Sequence, residues 1–518
     1  MKALLVWPKF PVTYWGGQYS IGLIGKRAFM PPLGLLTIAA LCPPEWQLRL
    51  VDLNADELSD DHLEWADMVL ISGMVIQHES MMTTIARCKR RGVTTAVGGP
   101  HATSSPEKFE NADHLVLDEG EVTFAAFLSD LKEGKVQRVY TANGEKPDIK
   151  QTPIPRFDLL NVESYSHMCV QFSRGCPFSC EFCDITTLFG NNPRTKKPEQ
   201  IVAELQVIYD LGFRGEVFLV DDNFIGNKKS VKQMLPTLIE WMTRHEYPFW
   251  LYTEASINLA DDDELLDLMC AAGFHSVFIG IESPSQESLK ETQKFQNLSG
   301  NLLSKVHKIQ ERGIEVMAGF IVGFDSDGED IFERQIEFIT KARIPMAMIG
   351  PLQAMPNTQL WDRLKIEGRL MTDFEGDTFG FCNFETRMPA LTITRGYRTV
   401  LSSLYTAESY FARLRTLIES MKGGSNRTLG RLSPSMKMKY SFKLLRALGW
   451  LIVASKHRGE YFSFFTWILR NHPDKLLFAI ARAIVGNHFI RYTSEVMIPR
   501  LTSREAELKE TPQLSIAS

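Results

Sequence analysis

The run Ser173-Arg-Gly-Cys176-Pro-Phe-Ser-Cys180-Glu-Phe-Cys183-Asp184 places three cysteines in a C-x3-C-x2-C spacing directly after the apolar stretch 168–172. Three thiolates so spaced can hold three corners of one cubane iron-sulfur cluster and leave the fourth iron without a protein ligand. A zinc knuckle is the competing reading. Tetrahedral zinc needs a fourth Cys or His nearby, however, and the closest histidine, His167, sits on the strand side. An open iron can bind a small chelating ligand, whereas a four-thiolate electron-transfer cluster is closed, so the spacing points to chemistry at the metal. Gly175 clears the loop and Pro177 stiffens it around the first ligand.

Strands and helices alternate after this loop. A helical stretch spans 198–211, and β-prone segments recur at 216–220, 250–254, 276–280, 316–321 and 346–350. With 168–172 they make six strands joined by crossover helices, which predicts an incomplete parallel barrel with its site at the carboxyl ends of the strands. Polar residues and glycines gather there: Asp221, Asp222 and Asn223; Glu254 and Ser256; Glu282 and Ser283; Gly319, Ile321 and Gly323; Gln353 and Asn357. Each also has an ordinary structural alternative, because an acid after a strand often caps a helix and a glycine often makes only a turn.

Ahead of the loop, strands at 3–7, 48–52, 68–72, 95–98 and 114–117 alternate with helical stretches at 35–41 and 80–91, the pattern of a doubly wound parallel sheet. Ligands bind such sheets beyond the strand carboxyl ends, here the loops Ser72-Gly73-Met74, Gly98-Gly99-Pro100-His101 and Asp118-Glu119-Gly120-Glu121. The fold class is therefore α/β with a helical end. A doubly wound domain covers 1–140, a Pro- and Gly-bearing linker 141–163, a partial (βα)6 barrel 164–370, and a mostly helical C-terminal domain 371–518 that opens with irregular structure across the barrel mouth.

Eight scattered cysteines show no disulfide framework, so a reducing cytoplasm fits, and no apolar run reaches the ~18 residues of a membrane span. The chain carries a net charge of -5, yet from Lys422 onward 16 Lys and Arg face 6 Asp and Glu, an excess of ten positive charges that leaves -15 on the rest. A basic, aromatic tail on an acidic body either meets an anionic lipid surface, at the inner face of the membrane, or docks on the body itself; its apolar content argues against nucleic acid. The last fifteen residues read as frayed.

The cysteine loop resembles the signature of the radical S-adenosylmethionine (SAM) enzymes. That resemblance implies a 4Fe-4S cluster on Cys176, Cys180 and Cys183, chelation of SAM at the open iron, and reductive cleavage of SAM to a 5'-deoxyadenosyl radical. It implies further that backbone near Phe182 and Ile321 holds adenine and that Glu282 and Ser283 meet the ribose or carboxylate side. Ser256 and Gly319 would belong to the same cofactor edge, with Asp221 or Asp222 facing the active centre, Asp221 counted as cofactor-binding and Asp222 as catalytic. An electron donor such as flavodoxin or ferredoxin would be the partner.

Ser72, followed 26 residues later by Gly98 and Gly99, resembles the lower-ligand pocket of cobalamin-binding domains, with Pro100, Glu119 and Gly120 on the same side. The chain departs from the D-x-H-x-x-G pattern of many cobalamin proteins, since 8–17 contain no histidine; the expectation is a displaced nucleotide tail and no histidine under cobalt. His78 and His101 lie on ligand-side loops and challenge it. The combination, with the phrases at 220–226, 253–259 and 322–327, resembles the cobalamin-dependent radical SAM enzymes and their branch of hopanoid carbon-2 methylases. It implies methylation of an unactivated carbon of a lipid or other small molecule. A cobalamin-using cyclase or oxidase of tetrapyrroles is the main alternative, and a cobalamin-binding sensor would leave the three cysteines unexplained.

Cys180→Ala is expected to abolish SAM cleavage while cobalamin still binds. SAM cleavage at the unsubstituted rate would refute the cluster assignment.

Overall fold

The computed structural model describes residues 1–421 and 443–510. Strands β1 (Lys2–Trp7), β2 (Gln47–Asp52), β3 (Met68–Ser72), β4 (Thr94–Gly98), β5 (His114–Val116) and β6 (Val139–Tyr140) form one parallel sheet in the order β2-β1-β3-β4-β5-β6. Strand alternation explains why these segments are apolar throughout. Leu4 and Val6 pack on one face with Met81 and Ile85 of helix His78–Arg91, whereas Leu5 packs on the other with Leu35 of helix Leu33–Leu41 and Phe124 of helix Gly120–Glu133. The order reverses at β1, and the crevice beside it opens at the carboxyl end of β3.

Residues 141–163, read as a linker, form three short 3-10 turns that pack rather than hang free. Ile149 and Phe157 are 1% and 0% exposed, so apolar side chains anchor the segment on either side of Pro153 and Pro155.

The second sheet holds β7 (His167–Val170), β10 (Gly215–Leu219), β11 (Phe249–Glu254), β12 (Phe274–Glu282), β13 (Glu315–Val322) and β14 (Ala347–Pro351), all parallel and in sequential order. A two-residue antiparallel clasp, β8 (Ser173–Arg174) with β9 (Arg194–Thr195), frames the cysteine loop. Beyond β7 the sheet is continued by the chain after β1: Ala28 bridges Tyr165, and His167 N donates to Phe29 O at 2.8 Å. Outward residues of β12 and β13, such as Ile279, Ile281, Val316 and Ala318, are fully buried. Inward residues Phe278, Gly280, Met317 and Gly319 stay half-exposed, so the barrel interior is hollow, where a closed (βα)8 barrel is filled by side chains.

The chain between helices Gln359–Ile366 and Ala390–Leu404 is irregular and spans both sheets' domains. Gln353 Nε2 donates to Phe381 O at 3.1 Å, and Lys108 pairs with Asp373 at 3.2 Å. Helices Ala407–Ser420, Arg458–Asn471, Leu476–Tyr492 and Ile498–Glu510 follow. The final helix continues to Glu510, well into the stretch read as frayed; 511–518 and the basic 422–442 lie outside the described residues. The described part of the tail docks on the body. Arg482 Nε meets Glu315 at 2.6 Å and its Nη1 lies 3.6 Å from Glu216, both at the amino ends of barrel strands. Burial disfavours the Glu216 charge, yet Arg482 and His167 hold its carboxyl well below the usual carboxylate range.

Arg482→Ala leaves the buried Glu315 without its cation and Glu216 with His167 as its hydrogen-bond partner. We expect a lowered unfolding midpoint in thermal or denaturant scans, equivalent to about 3–5 kcal/mol.

Candidate active site

The cysteine loop is held from below by the two aspartates after β10. Asp221 accepts from the backbone N–H of Phe172 and of Ser173, both at 2.8 Å, and from Ser173 Oγ at 2.7 Å; Asp222 accepts from Gly175 N at 3.1 Å. Burial pushes Asp221 up to about 7 and Asp222 up to about 6. Their contacts are with the loop backbone, which makes them positioning groups in this structure. Gly175 adopts φ 93°, and a Cβ there would stand 2.7 Å from Gly190 O, so only glycine lets the loop fold back on itself.

Asn223, named above only as one of the strand-end polar residues, reaches the first thiol: its Nδ2 lies 3.8 Å from Cys176 Sγ while its Oδ1 accepts from Ser256 N at 3.2 Å and Ser256 Oγ at 3.3 Å. Gln296 Nε2 stands 3.6 Å from Cys180 Sγ. Hydrogen bonds to cluster sulfurs raise or lower a cluster's potential, so both amides are fit for that work. Among the described residues no three ligating side chains are gathered as a single metal ion requires, whereas a cubane takes its thiolates on separate irons.

Opposite the loop, a register shift in β12 between Gly280 and Glu282 puts Glu282 at φ 64° and turns its carboxylate toward Lys294, at 2.8 Å. A Cβ on Gly280 would collide with that pair. Burial disfavours the Lys294 charge, but Glu282 and Cys180 together hold the ammonium above its ordinary range. Ser283 is buried and accepts from Ser285 N at 3.1 Å, fixing the turn. Phe182 and Ile321 pack in one apolar cluster with Phe324 and Leu352, and Gly319 lies under the Phe278 ring. The loop is also fastened to the last barrel helix, where Arg363 meets Glu181 at 2.6 Å.

On the N-terminal domain, Ser72, Gly98, Gly99, Pro100, Glu119 and Gly120 all line one cavity of about 270 Å3, which faces Gln171, Arg174, Leu188 and Phe189 of the barrel domain. Gly99 has φ 86°, and a Cβ on it would strike Ser72 Oγ; a Cβ on Gly98 would stand 2.6 Å from Val116 O. Both glycines are thus demanded by the packing of their own neighbours, and they leave backbone without side chains at the cavity. Glu119 turns instead to the cluster loop's own residue Arg174, at 2.9 Å, and to Arg194, at 2.7 Å, while Glu121 meets Arg174 at 2.8 Å. His78 and His101 bond each other at 2.9 Å, and neither lines the cavity. Burial, then His78, pushes His101 down to about 4.

A second cavity of about 580 Å3, with a mostly apolar lining, fills the barrel interior. Trp250, Tyr252 and Glu254 line it from alternate positions of β11, with Phe218, Phe278 and Met317 from neighbouring strands. Trp15 enters from the chain after β1 and packs on Phe278, ring centroids 5.1 Å apart. Nothing in the local pattern of 8–17 announced that role. At the inner end, burial and then Asp222 push Glu254 up to about 8, which favours its protonated form.

A doubly wound domain with a bare glycine cradle, set against a partial barrel with a three-cysteine loop, defines a cobalamin-binding radical SAM protein. Sequence models of protein families match accordingly: a B12 binding domain over 24–128, the radical SAM superfamily over 170–339, and a domain of unknown function over 358–499. The chain is 42% identical to an uncharacterized methyltransferase of Synechocystis sp. over 95% of its own length and 92% of the relative's. It is 35% identical to the hopanoid C-2 methylase of Rhodopseudomonas palustris over 95% of this chain and 94% of that one. Among solved structures, the cobalamin-dependent radical enzyme OxsB shares the fold with TM-score 0.60 at 15% identity, covering 98% of this chain and 83% of OxsB. The methyltransferase TsrM of Kitasatospora setae does so with TM-score 0.60 at 15% identity, over 91% and 99%. The chain belongs to the cobalamin-dependent radical SAM methyltransferase family.

Raised pKa values make Glu254 a stability term with a defined sign. The folded state keeps its proton above the ordinary value of 4.5, so the native protein loses stability as pH rises from about 4.5 to about 8. Glu254→Gln mimics the protonated side chain, and denaturation across that window should show a flatter pH dependence for the variant.

Proposed function

We propose that this enzyme methylates an unactivated carbon of a hopanoid-like polycyclic lipid. The observation that carries the substrate class is the cavity of about 580 Å3 in the barrel interior, apolar along most of its walls and ending at Glu254 beside the residues that brace the cysteine loop. A rigid hydrocarbon skeleton suits such walls, and the 35% identity to a hopanoid C-2 methylase points the same way.

Cys176, Cys180 and Cys183 would hold a 4Fe-4S cluster, with Lys294 and Glu282 beside it for the charged end of SAM, and the Gly98-Gly99 cradle would receive cobalamin. Bound together, these groups would supply a carbon-radical generator and a methyl carrier. The chain's own residues set the conditions. Asp221 and Asp222 fix the loop, Arg174 fixes it relative to the cobalamin cradle, and Phe278, Met317 and Trp15 keep water from the reacting carbon.

Leu477, which lines the cavity, is 46% exposed, and Leu445, Val453, Phe462 and Leu469 of the same helical domain are exposed more fully. No helix among the described residues is long and apolar enough to cross a membrane. These side chains and the basic tail support peripheral contact with the inner face of the membrane, where such a lipid resides. Electrons would come from a flavodoxin or ferredoxin.

Anaerobically reconstituted enzyme supplied with SAM, reductant and a pentacyclic triterpenoid should yield a product heavier by one methyl group, and deletion in a producing bacterium should remove methylated hopanoids from its lipid mass spectrum. An oxidised or cyclised product without added methyl would favour the cyclase reading.

A further inference from the structure

The hollow barrel carries two buried polar atoms with no partner. Tyr252 lines the large cavity at 8% exposure, its ring stacked on Phe218 with centroids 4.6 Å apart and planes 4° from parallel, yet its hydroxyl makes no hydrogen bond. His167 lines the same cavity. Its Nε2 lies 2.8 Å from Glu216, and its Nδ1 makes no hydrogen bond. The two rings stand edge to face with centroids 5.6 Å apart, so the two side chains with unpaired atoms adjoin in the wall. Buried polar groups are almost always hydrogen-bonded, and two orphans on one cavity wall give a ligand's polar group two ready partners.

We propose that Tyr252 and His167 anchor the hydroxyl group of an amphipathic polycyclic substrate, so that its apolar ring end lies at Glu254. The proposal rests on the polycyclic-lipid reading above and specifies the substrate class: a largely hydrocarbon skeleton with an uncharged hydrogen-bonding group at one end.

Geometry and charge both support it. Tyr252 is two residues before Glu254 on the same face of β11, roughly 7 Å nearer the barrel floor. Trp250, two residues further back, also lines the cavity, which gives the lumen a depth of roughly 13 Å along this strand. Ile24, Lys26, Arg214, Leu444 and Leu477 line the cavity as well, and Leu477, 46% exposed, carries it to solvent on the side of the strands' amino ends. A molecule entering ring-first therefore leaves its polar end near the mouth, at the Tyr252 layer. Arg482, the cation on this wall, is engaged by Glu315 and Glu216, so the spot favours a neutral hydroxyl over an ionised head group.

The test measures binding, separately from methyl transfer. Lumen tryptophans Trp15 and Trp250 report occupancy of anaerobically reconstituted enzyme titrated with a pentacyclic triterpene alcohol, or with the matching hydrocarbon, in phosphatidylcholine vesicles. The unsubstituted enzyme should prefer the alcohol about tenfold, and Tyr252→Phe, which removes only the hydroxyl, should cut that preference to about twofold or less. Met317→Trp, filling the lumen, should weaken binding of both. A Tyr252→Phe variant that keeps the full preference overturns the anchor while leaving lipid methylation standing, and so does a Met317→Trp variant that binds both ligands normally. Failure of the unsubstituted enzyme to bind either molecule overturns the polycyclic-lipid reading and this inference with it.

Discussion

The structure depends on one guanidinium. Arg174 sits immediately before Gly175 and Cys176, and its side chain, 12% exposed, receives Glu119 and Glu121 from the far domain. Burial disfavours its charge, and Glu121 and then Glu119 restore it. Buried ion pairs contribute little net stability because desolvation offsets attraction, but breaking one strands a charge, so such a pair chiefly specifies geometry. Here the specified geometry is the placement of the cobalamin cradle against the cluster loop. Radical chemistry shared between two cofactors tolerates little slack between them, and a bidentate clamp at the junction limits that slack.

The same economy shows in the barrel interior. Three inward positions of successive strands are glycine: Gly280, Gly319 and Gly350. Gly280 yields its space to the Glu282–Lys294 pair, Gly319 to Phe278, and Gly350 to the backbone of Thr378. Removing side chains at this level hollows the barrel below the cluster, and the long side chains of Phe218, Phe278, Met317 and Met348 line what remains. An unfilled core costs cohesion, and the C-terminal helices compensate by bracing one side of the floor with Arg482 on Glu216 and Glu315.

Much of this was legible in the chain. The three cysteines stand out because ligand spacing is local, and the six residues proposed for the cobalamin side fell on one cavity because loops after parallel strands converge at one edge of the sheet. Harder to read were residues whose partners are distant in sequence. Glu119 was read as a cofactor contact, and its carboxylate meets Arg174 and Arg194. Asp221 was read as facing the active centre, and its oxygens hold backbone N–H groups of the loop. Asn223, Gln296 and Lys294 gather around the thiols although up to 120 residues separate them, a convergence that no local pattern encodes.

Local spacing and strand periodicity were thus enough to determine the cysteine triad, the two parallel sheets and the glycine cradle, since each follows from interactions between residues close in sequence or from a repeat of two along a strand. The tertiary structure alone decided that the chain after β1 carries Trp15 into the barrel, that the tail braces its floor, and that Tyr252 and His167 share one wall of a cavity. Those facts arise from contacts across hundreds of residues, where packing and electrostatic compensation, rather than local propensity, choose the partner.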